Sequence, residues 1–325
     1  MKSRRLVIVI AAIVSAAAAA VGCAAKGTPA APEDWYLEDS SQTMIFDEII
    51  PLSGQSPASV YLMPEASGTV VYAKNNASID ASNAFDGYVM CKYTGGAAKL
   101  KVIVQGPNTK YTYNLSDSGE YETFPLSDGN GTYKIGVYKN ISGTKYSTLV
   151  SRSITVTLAD EFAPFILPNQ YVNYSADSEV VRKAEKLCEN SDTELEKVAA
   201  VYDFVINTFS YDREKARTVV SGYLPDVDEI LALEKGICFD YSAVMAAMLR
   251  SQGIPTKLVV GYAGTAYHAW ISVYTEGKGW IEAVIYFDGS VWKLMDPTFA
   301  SSSNRSAEVM KYIGNGANYT AKYLY

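Results

Sequence analysis

The side chains in this chain that could do chemistry are a single histidine and a few cysteines. Its 325 residues contain one histidine, His268, and four cysteines, Cys23, Cys91, Cys188 and Cys238. A thiol beside an imidazole can carry out nucleophilic acyl transfer, because the imidazole accepts the thiol proton and later protonates the leaving group. One histidine excludes sites that need two imidazoles, and the lack of a C-x-x-C pair argues against a zinc ribbon or an iron–sulfur cluster. We therefore predict no metal site and no cofactor.

Cys238 stands where a helix is predicted to begin. Gly236-Ile237-Cys238 precedes a helical apolar pattern that ends near Gly253, just before Pro255. The free N–H groups and the positive dipole end of a helix start favour a thiolate over a thiol. A buried structural cysteine can occupy the same position, so position alone leaves its role open.

His268 lies on a predicted strand that follows another at residues 257–262. Period-two alternation places His268, Trp270, Ser272 and Tyr274 on one face of that strand. A later strand, residues 291–298, contains Asp296, and we expect it to lie near the His268 strand. Pro297 prevents continuation as a regular central strand, so Asp296 is expected at a rim, where side chains reach a site.

Four sequence blocks, taken together, resemble the transglutaminase-like superfamily of papain-like thiol enzymes. They are Gly236-Ile237-Cys238, residues 250–255 (R-S-Q-G-I-P), His268-Ala269-Trp270 and Asp296-Pro297-Thr298, in the order of the family pattern. The resemblance implies an α+β fold with helices packed on an antiparallel sheet. It also implies a catalytic triad of Cys238, His268 and Asp296. The implied chemistry is a thioester intermediate released by water, as in a peptidase or amidase, or by an amine, as in protein cross-linking.

Several assignments at this site keep an alternative. Between His268 and Asp296 an extra pair of segments, residues 279–287 and onward, intervenes, so Glu282 and Asp288 are possible substitutes for Asp296. Tyr211 is a candidate hydrogen-bond donor at the oxyanion site and Trp270 a candidate cleft wall, with core packing as the alternative for both. His268 could instead be an ordinary hydrogen-bonded strand residue, and Asp296 could cap a turn.

The N-terminus is predicted to be an export signal. Basic residues in the first five positions precede an apolar run, residues 6–21, that is shorter than the roughly 20 residues needed to span a bilayer. Ala20-Val21-Gly22-Cys23 resembles the lipobox of bacterial lipoproteins. Residues 1–22 would then be a signal peptide, Cys23 the lipidated residue and residues 23–43 a tether on the outer face of the membrane. The alternatives are a plain cleaved signal or an uncleaved N-terminal anchor.

Two regions with different periodicity follow the tether. Residues 44–158 alternate with period two and predict an immunoglobulin-like β-sandwich, with hairpins at Gly95-Gly96 and Ser142-Gly143. Residues 159–325 are predicted to form the transglutaminase-like domain with a C-terminal extension. Its first helices are expected at residues 178–189 and from a capping box, residues 191–194, to about residue 209. A Cys91–Cys188 bridge could join the regions, although both cysteines fit apolar core patterns.

Charge and composition limit the partners. The net charge of −7 and pI near 5.0 argue against nucleic-acid binding. We expect a peptide, protein or cell-wall amide as substrate and contact with the membrane through the lipid. The competing interpretations are a non-catalytic binding lipoprotein that keeps the fold, and a tyrosine-rich β-region that acts as an adhesion or sugar-binding module.

Overall fold

Antiparallel strands form the first part of the described residues, as the alternation predicted. The computed structural model describes residues 63–281, 285–287, 292–294 and 318–325. The predicted signal peptide and tether, with Cys23, lie outside these residues, and so do Glu282, Asp288 and Asp296. Among the helices of the described residues, none has the length and apolar character needed to cross a bilayer.

The β-region consists of strands arranged in two sheets. Its strands are β1 Val71–Lys74, β2 Ala77–Asp80, β3 Tyr88–Tyr93, β4 Leu100–Gln105, β5 Lys110–Leu115, β6 Glu122–Pro125, β7 Gly131–Ser142 and β8 Lys145–Val156. Within the described residues one sheet has the order β1-β2-β3-β6 and the other β5-β4-β7-β8. Alternate residues of β4 and β5 are buried, which places one face of that sheet on the core.

The hairpin predicted at Gly95-Gly96 is wrong. Strand β3 pairs with β2 and β6, whereas β4 pairs with β5 and β7 in the other sheet. The glycines mark a true turn, with Gly96 in the left-handed region (φ 77°), but both edges of β3 are already occupied. The hairpin predicted at Ser142-Gly143 is confirmed, because β7 pairs with β8 across that turn.

Helices dominate the next part of the chain. They are α1 Glu179–Cys188, α2 Glu194–Thr208, α3 Arg213–Thr218, α4 Val227–Leu233 and α5 Cys238–Ser251. The capping box of α2 lies two residues later than predicted. Thr193 Oγ1 accepts the N–H of Glu196, and the Glu196 carboxylate accepts the N–H of Thr193, at 3.2 and 2.9 Å. Thr193 rather than Ser191 therefore begins this helix.

The strand predicted to carry His268 belongs to a second, antiparallel part of the fold. The remaining strands are β9 Ser210–Tyr211, β10 Lys235–Gly236, β11 Thr256–Ala263, β12 Ala266–Thr275, β13 Gly279–Ile281, β14 Ile285–Phe287, β15 Trp292–Leu294 and β16 Tyr319–Leu324. In the described residues β13-β12-β11-β16 form one antiparallel sheet, and α5 packs against its two central strands. Within these residues, helices lie against an antiparallel sheet, so the predicted α+β class is confirmed.

The predicted position of Asp296 near the His268 strand stays a prediction, because Asp296 lies outside the described residues, but the strand that leads to it is seen in a hairpin. Strand β15 pairs with β14, with Phe287 opposite Trp292, in a separate ribbon. In the described part of the chain, the neighbours of β12 are β11 and β13. The extra segments before Asp296 therefore supply their own pairing partner for the strand that leads to it.

Aromatic rings join the β-region to the helical region. Tyr111 and Tyr113 of β5 each contact Tyr325, and Tyr113 also contacts Tyr171, with all three centroid separations at 5.8 Å. These residues belong to one hydrophobic core that runs from β2 to the chain end. The β-region and the helical region therefore share a core, and these four tyrosines have packing roles.

The predicted alternative of a Cys91–Cys188 disulfide is not seen. Both residues are buried free thiols, Cys91 in β3 and Cys188 at the end of α1. Burial, reinforced by the charges of Glu122 and Asp80, raises the pKa of Cys91 far above that of an ordinary thiol. Burial also raises the pKa of Cys188. Neither thiol is therefore suited to nucleophilic chemistry.

Candidate active site

Cys238 is the first residue of α5, as predicted, and its side chain is half-buried. Ile237 precedes the helix in an extended conformation and has no side-chain oxygen that could cap it. Asp240, at the third residue of the helix, supplies the reciprocal bond of a capping box, because its Oδ2 accepts the Ile237 N–H at 2.9 Å. The helix ends before Gly253, whose φ of 79° only glycine adopts readily. Local sequence therefore sets both ends of the helix that carries the thiol.

Gly236 is required by close packing rather than by an unusual backbone angle. A Cβ at this position would lie 2.5 Å from the Cβ of Asp240, which is closer than carbon atoms can approach. Gly236 also belongs to β10, which pairs in parallel with β9. Because Gly236 has no side chain, the Asp240 side chain can pack against β10, the strand that leads to Cys238.

Tyr211 lies next to the Cys238 segment. It is half-buried, packs against the core and is opposite Gly236 in the β9–β10 pair. The following residue, Asp212, donates its N–H to the Gly236 carbonyl at 2.8 Å. Tyr211 therefore lies beside the strand that leads to Cys238, and its predicted hydrogen-bonding role stays a prediction.

His268 is a buried residue of β12, with 8% of its surface exposed. It is opposite Gly261 of β11, and its ring stacks on Trp270 with centroids 6.4 Å apart. Trp270 is 2% exposed and meets the ring of Tyr319 edge-on at 5.2 Å. Trp270 is therefore buried next to His268, and its predicted role as a cleft wall stays a prediction.

Cys238 acts electrostatically on Tyr267, the residue before His268 on β12, whose side chain lies on the opposite face of that strand from the His268 ring. Burial first, then the charges of Tyr323, Tyr262, Tyr171 and Cys238, raises the pKa of Tyr267. Cys238 is thus within electrostatic range of the residue next to His268, in keeping with the packing of α5 on β12. Sequence analysis did not single out Tyr267, whose only sequence signal is its place directly before the H-A-W block.

Arg250, the arginine of the R-S-Q-G-I-P block, is fully buried at the other end of α5. Its guanidinium donates to the carbonyl oxygens of Thr256, Leu167 and Tyr325, at 2.9, 2.7 and 2.6 Å. Burial lowers the pKa of Arg250 to about 10, which keeps it charged at neutral pH. The Arg250 side chain therefore links α5 to β11, to Leu167 in the segment before α1, and to Tyr325 just after β16.

A polar cluster that the sequence did not predict lies at the start of α5. Asp240, on the third residue of α5, contacts both Lys215 and Tyr223. Its signal was a single acidic residue within an otherwise apolar helix start. Within the described residues, no group of three histidine, cysteine or acidic side chains is arranged to hold a metal ion.

Comparison with known families identifies the region around this site. Residues 181–284 match the transglutaminase-like superfamily. This part of the chain belongs to that superfamily. The matched region is about a third of the chain and contains Cys238 and His268. The predicted resemblance is therefore confirmed.

Individual relatives share only part of their length with this chain. The uncharacterized protein YebA of Bacillus subtilis is 32% identical over 118 residues, which are 30% of this chain and 16% of YebA. The chain thus spans about a sixth of that curated relative.

Solved structures with similar folds include a proposed cysteine protease from Cytophaga hutchinsonii. It has a TM-score of 0.39 and 17% identity, over 70% of this chain and 77% of that one. The periplasmic domain of TgpA from Pseudomonas aeruginosa has a TM-score of 0.33 and 16% identity, over 65% and 94% of the two chains.

Proposed function

We propose that this chain is an exported, lipid-anchored cysteine acyl-transfer enzyme that hydrolyses peptide or cell-wall amide bonds. The observation that carries the proposal is the half-buried Cys238 at the first position of α5, a helix that packs on β12, the strand that bears His268. Its two rivals among the described thiols, Cys91 and Cys188, are buried in the core. Membership of residues 181–284 in the transglutaminase-like superfamily supports the general kind of chemistry.

In the proposed reaction the Cys238 thiolate attacks an amide carbonyl carbon. A C–S bond forms, the C–N bond breaks, and His268 gives its proton to the departing amine. The N–H groups of a first helical turn have no partner inside the helix, so the backbone N–H of Cys238 can stabilise the oxyanion. Water then attacks the thioester, which releases the acid and restores the thiol and the imidazole.

Asp296 has a supporting role in this proposal. It accepts a hydrogen bond from the second imidazole nitrogen of His268 and so selects the reactive tautomer. Trp270, stacked on the His268 ring, restricts how the ring can turn. Tyr211 is the proposed additional hydrogen-bond donor at the thiol.

Hydrolysis is the preferred outcome because an extracellular site meets water in vast excess over amines. The test uses the purified chain with casein and with peptidoglycan fragments, in the presence and absence of dansylcadaverine. Mass spectrometry should detect new carboxyl ends, and Cys238→Ala and His268→Ala should each lower their rate of formation by about 10⁴-fold. Cys188→Ala is the matched control, since it removes a thiol that lies in the core.

Each other outcome identifies a rival function. Incorporation of dansylcadaverine without new carboxyl ends contradicts hydrolysis and indicates a cross-linking enzyme. A non-catalytic binding protein would show neither product, and Cys238 alkylation would follow an ordinary thiol pH profile that is the same in His268→Ala.

Lipid anchoring through Cys23 is a separate part of the proposal and rests on the sequence Ala20-Val21-Gly22-Cys23. Export with diacylation of Cys23 should place the chain in the membrane fraction and label it with radioactive palmitate. Cys23→Ser should abolish the label and release the protein from the membrane. Palmitate labelling that persists in Cys23→Ser contradicts this anchor.

A further inference from the structure

A carboxylate lies buried beneath the start of the helix that bears Cys238. The Asp240 side chain has no exposed surface. Its Oδ2 accepts the Ile237 N–H at 2.9 Å, and its Oδ1 accepts the Tyr223 hydroxyl at 2.7 Å. These two bonds hold the backbone on which Cys238 sits. The same negative charge, left uncompensated, would oppose a thiolate two residues away.

Lys215 brings the opposite charge to this carboxylate. Its Nζ lies 2.6 Å from Asp240 Oδ2 and donates to the Tyr223 hydroxyl at 2.6 Å. Tyr223 therefore accepts from the ammonium and donates to the carboxylate. Burial first, and then the hydrogen bond and charge of Asp240, raises the pKa of Tyr223, which keeps it a donor at neutral pH. Each of the three side chains in this cluster, Lys215, Tyr223 and Asp240, therefore has partners within the cluster.

The position of Lys215 is fixed by the backbone that leads to Cys238. Asp212 caps α3 by accepting the N–H groups of Glu214 and Lys215, at 3.0 and 2.9 Å. The Asp212 N–H in turn donates to the Gly236 carbonyl. Short helix α3, and the ammonium it carries, is thereby held to the strand that enters α5.

We propose that Lys215 is a positioning residue for the nucleophile, whose ammonium neutralises Asp240 so that this carboxylate can cap α5 without opposing a Cys238 thiolate. This inference rests on the proposed function, because the ionisation of the Cys238 thiol at that site would depend on the balance of the Lys215 and Asp240 charges. It does not depend on which amide is the substrate, because it assigns no substrate contact to Lys215 or Asp240.

Other charged groups around the cluster do not replace Lys215. Asp226 and Glu229, from α4 and its cap, act on Tyr223 and add negative charge. Lys235 of β10 is paired with Asp212 at 3.1 Å. Tyr267 of β12 lies within electrostatic range of Cys238. Arg250, at the far end of α5 itself, binds carbonyls, and His268 of β12 stacks on Trp270. In the described part of the chain, Lys215 is thus the cation seen in contact with Asp240.

The test measures how the iodoacetamide alkylation rate of Cys238 depends on pH in the full chain. Peptide-resolved mass spectrometry separates Cys238 from the other three cysteines. We expect Lys215→Met to move the midpoint of the profile upward by about one pH unit, the low end of the effect of a close opposite charge. Lys215→Arg should keep the wild-type midpoint, and so should Lys186→Met, an exposed control on α1.

A double variant separates charge balance from a purely structural role. Lys215→Met combined with Asp240→Asn removes both charges, and its midpoint should return to the wild-type value. Asp240→Asn alone, which leaves the ammonium uncompensated, should move the midpoint downward. It also carries the test if Lys215→Met does not fold, as circular dichroism would reveal.

Two results would overturn the inference. One is a folded Lys215→Met protein with the wild-type midpoint; the other is an Asp240→Asn protein with an unshifted midpoint. A wild-type midpoint near that of a free cysteine, about 8.5, and unchanged in His268→Ala contradicts the proposed function instead. A low wild-type midpoint that ignores Lys215 and Asp240 contradicts only the charge-balance inference.

Discussion

Tyr111 and Tyr113 offer a matched pair of hydroxyl deletions at the junction of the β-region and the helical region. Both are 1% exposed and lie on the same face of β5. The Tyr111 hydroxyl donates to Asp128 Oδ1 at 3.2 Å. Within the described residues, the Tyr113 hydroxyl is buried with no hydrogen-bond partner, among the rings of Phe124, Tyr171 and Tyr325. The two phenylalanine variants should therefore change stability in opposite directions.

The magnitudes follow from these two environments. Tyr113→Phe removes a desolvated, unpaired hydroxyl and should raise the free energy of unfolding by about 1 kcal/mol, the low end of the usual penalty. Tyr111→Phe removes a bond to a charged oxygen and should lower it by about 1.5 kcal/mol, since the bond is long. In a chain of 325 residues each change corresponds to roughly 1–2 °C in Tm, since the entropy of unfolding is about 2 cal/mol/K per residue.

Urea unfolding followed by circular dichroism measures both changes, with equal m values showing that the transition itself is unaltered. Tyr146→Phe, at a half-buried position in β8, is the control and should stay within about 0.5 kcal/mol of wild type. If Tyr113→Phe destabilises the protein as Tyr111→Phe does, the hydroxyl has a partner and the reasoning is refuted.

Two further substitutions test how the site is held. Arg250→Met leaves three buried carbonyl oxygens without their donor. It should lower the free energy of unfolding, measured by urea titration, by about 3–5 kcal/mol. A loss below about 1 kcal/mol would show that water replaces the guanidinium. The backbone N–H of Lys215 first, and then Lys235, lowers the pKa of Asp212 in the folded chain, so its stabilising effect is present above about pH 4 and is lost as pH falls through the folded pKa. Asp212→Ala should therefore cost about 1 kcal/mol at pH 7, with the gap to wild type narrowing at pH 3; a gap independent of pH would contradict this.

Local sequence signals were enough to locate the helix with Cys238 and the strand with His268. The helix was expected from residue 238 to about Gly253, and α5 spans Cys238–Ser251. The strand was expected from residue 268, and β12 spans Ala266–Thr275. Such elements are readable because apolar periodicity, a glycine stop and a following proline act within a few residues of each other. The superfamily resemblance, based on short blocks at those same elements, was confirmed for residues 181–284.

Partner choice between distant segments was decided by the tertiary structure. The Gly95-Gly96 turn is real, yet β3 and β4 belong to different sheets because other strands occupy both edges of β3. The Lys215–Asp240 contact joins residues far apart in sequence, and nothing in a short helix reveals which carboxylate its lysine will meet. The placement of Trp270 in the core likewise depends on β16, which follows it by some fifty residues. Sequence therefore determined which elements carry the thiol and the imidazole, whereas packing between those elements decided what surrounds them, because burial and charge pairing depend on contacts that no local pattern encodes.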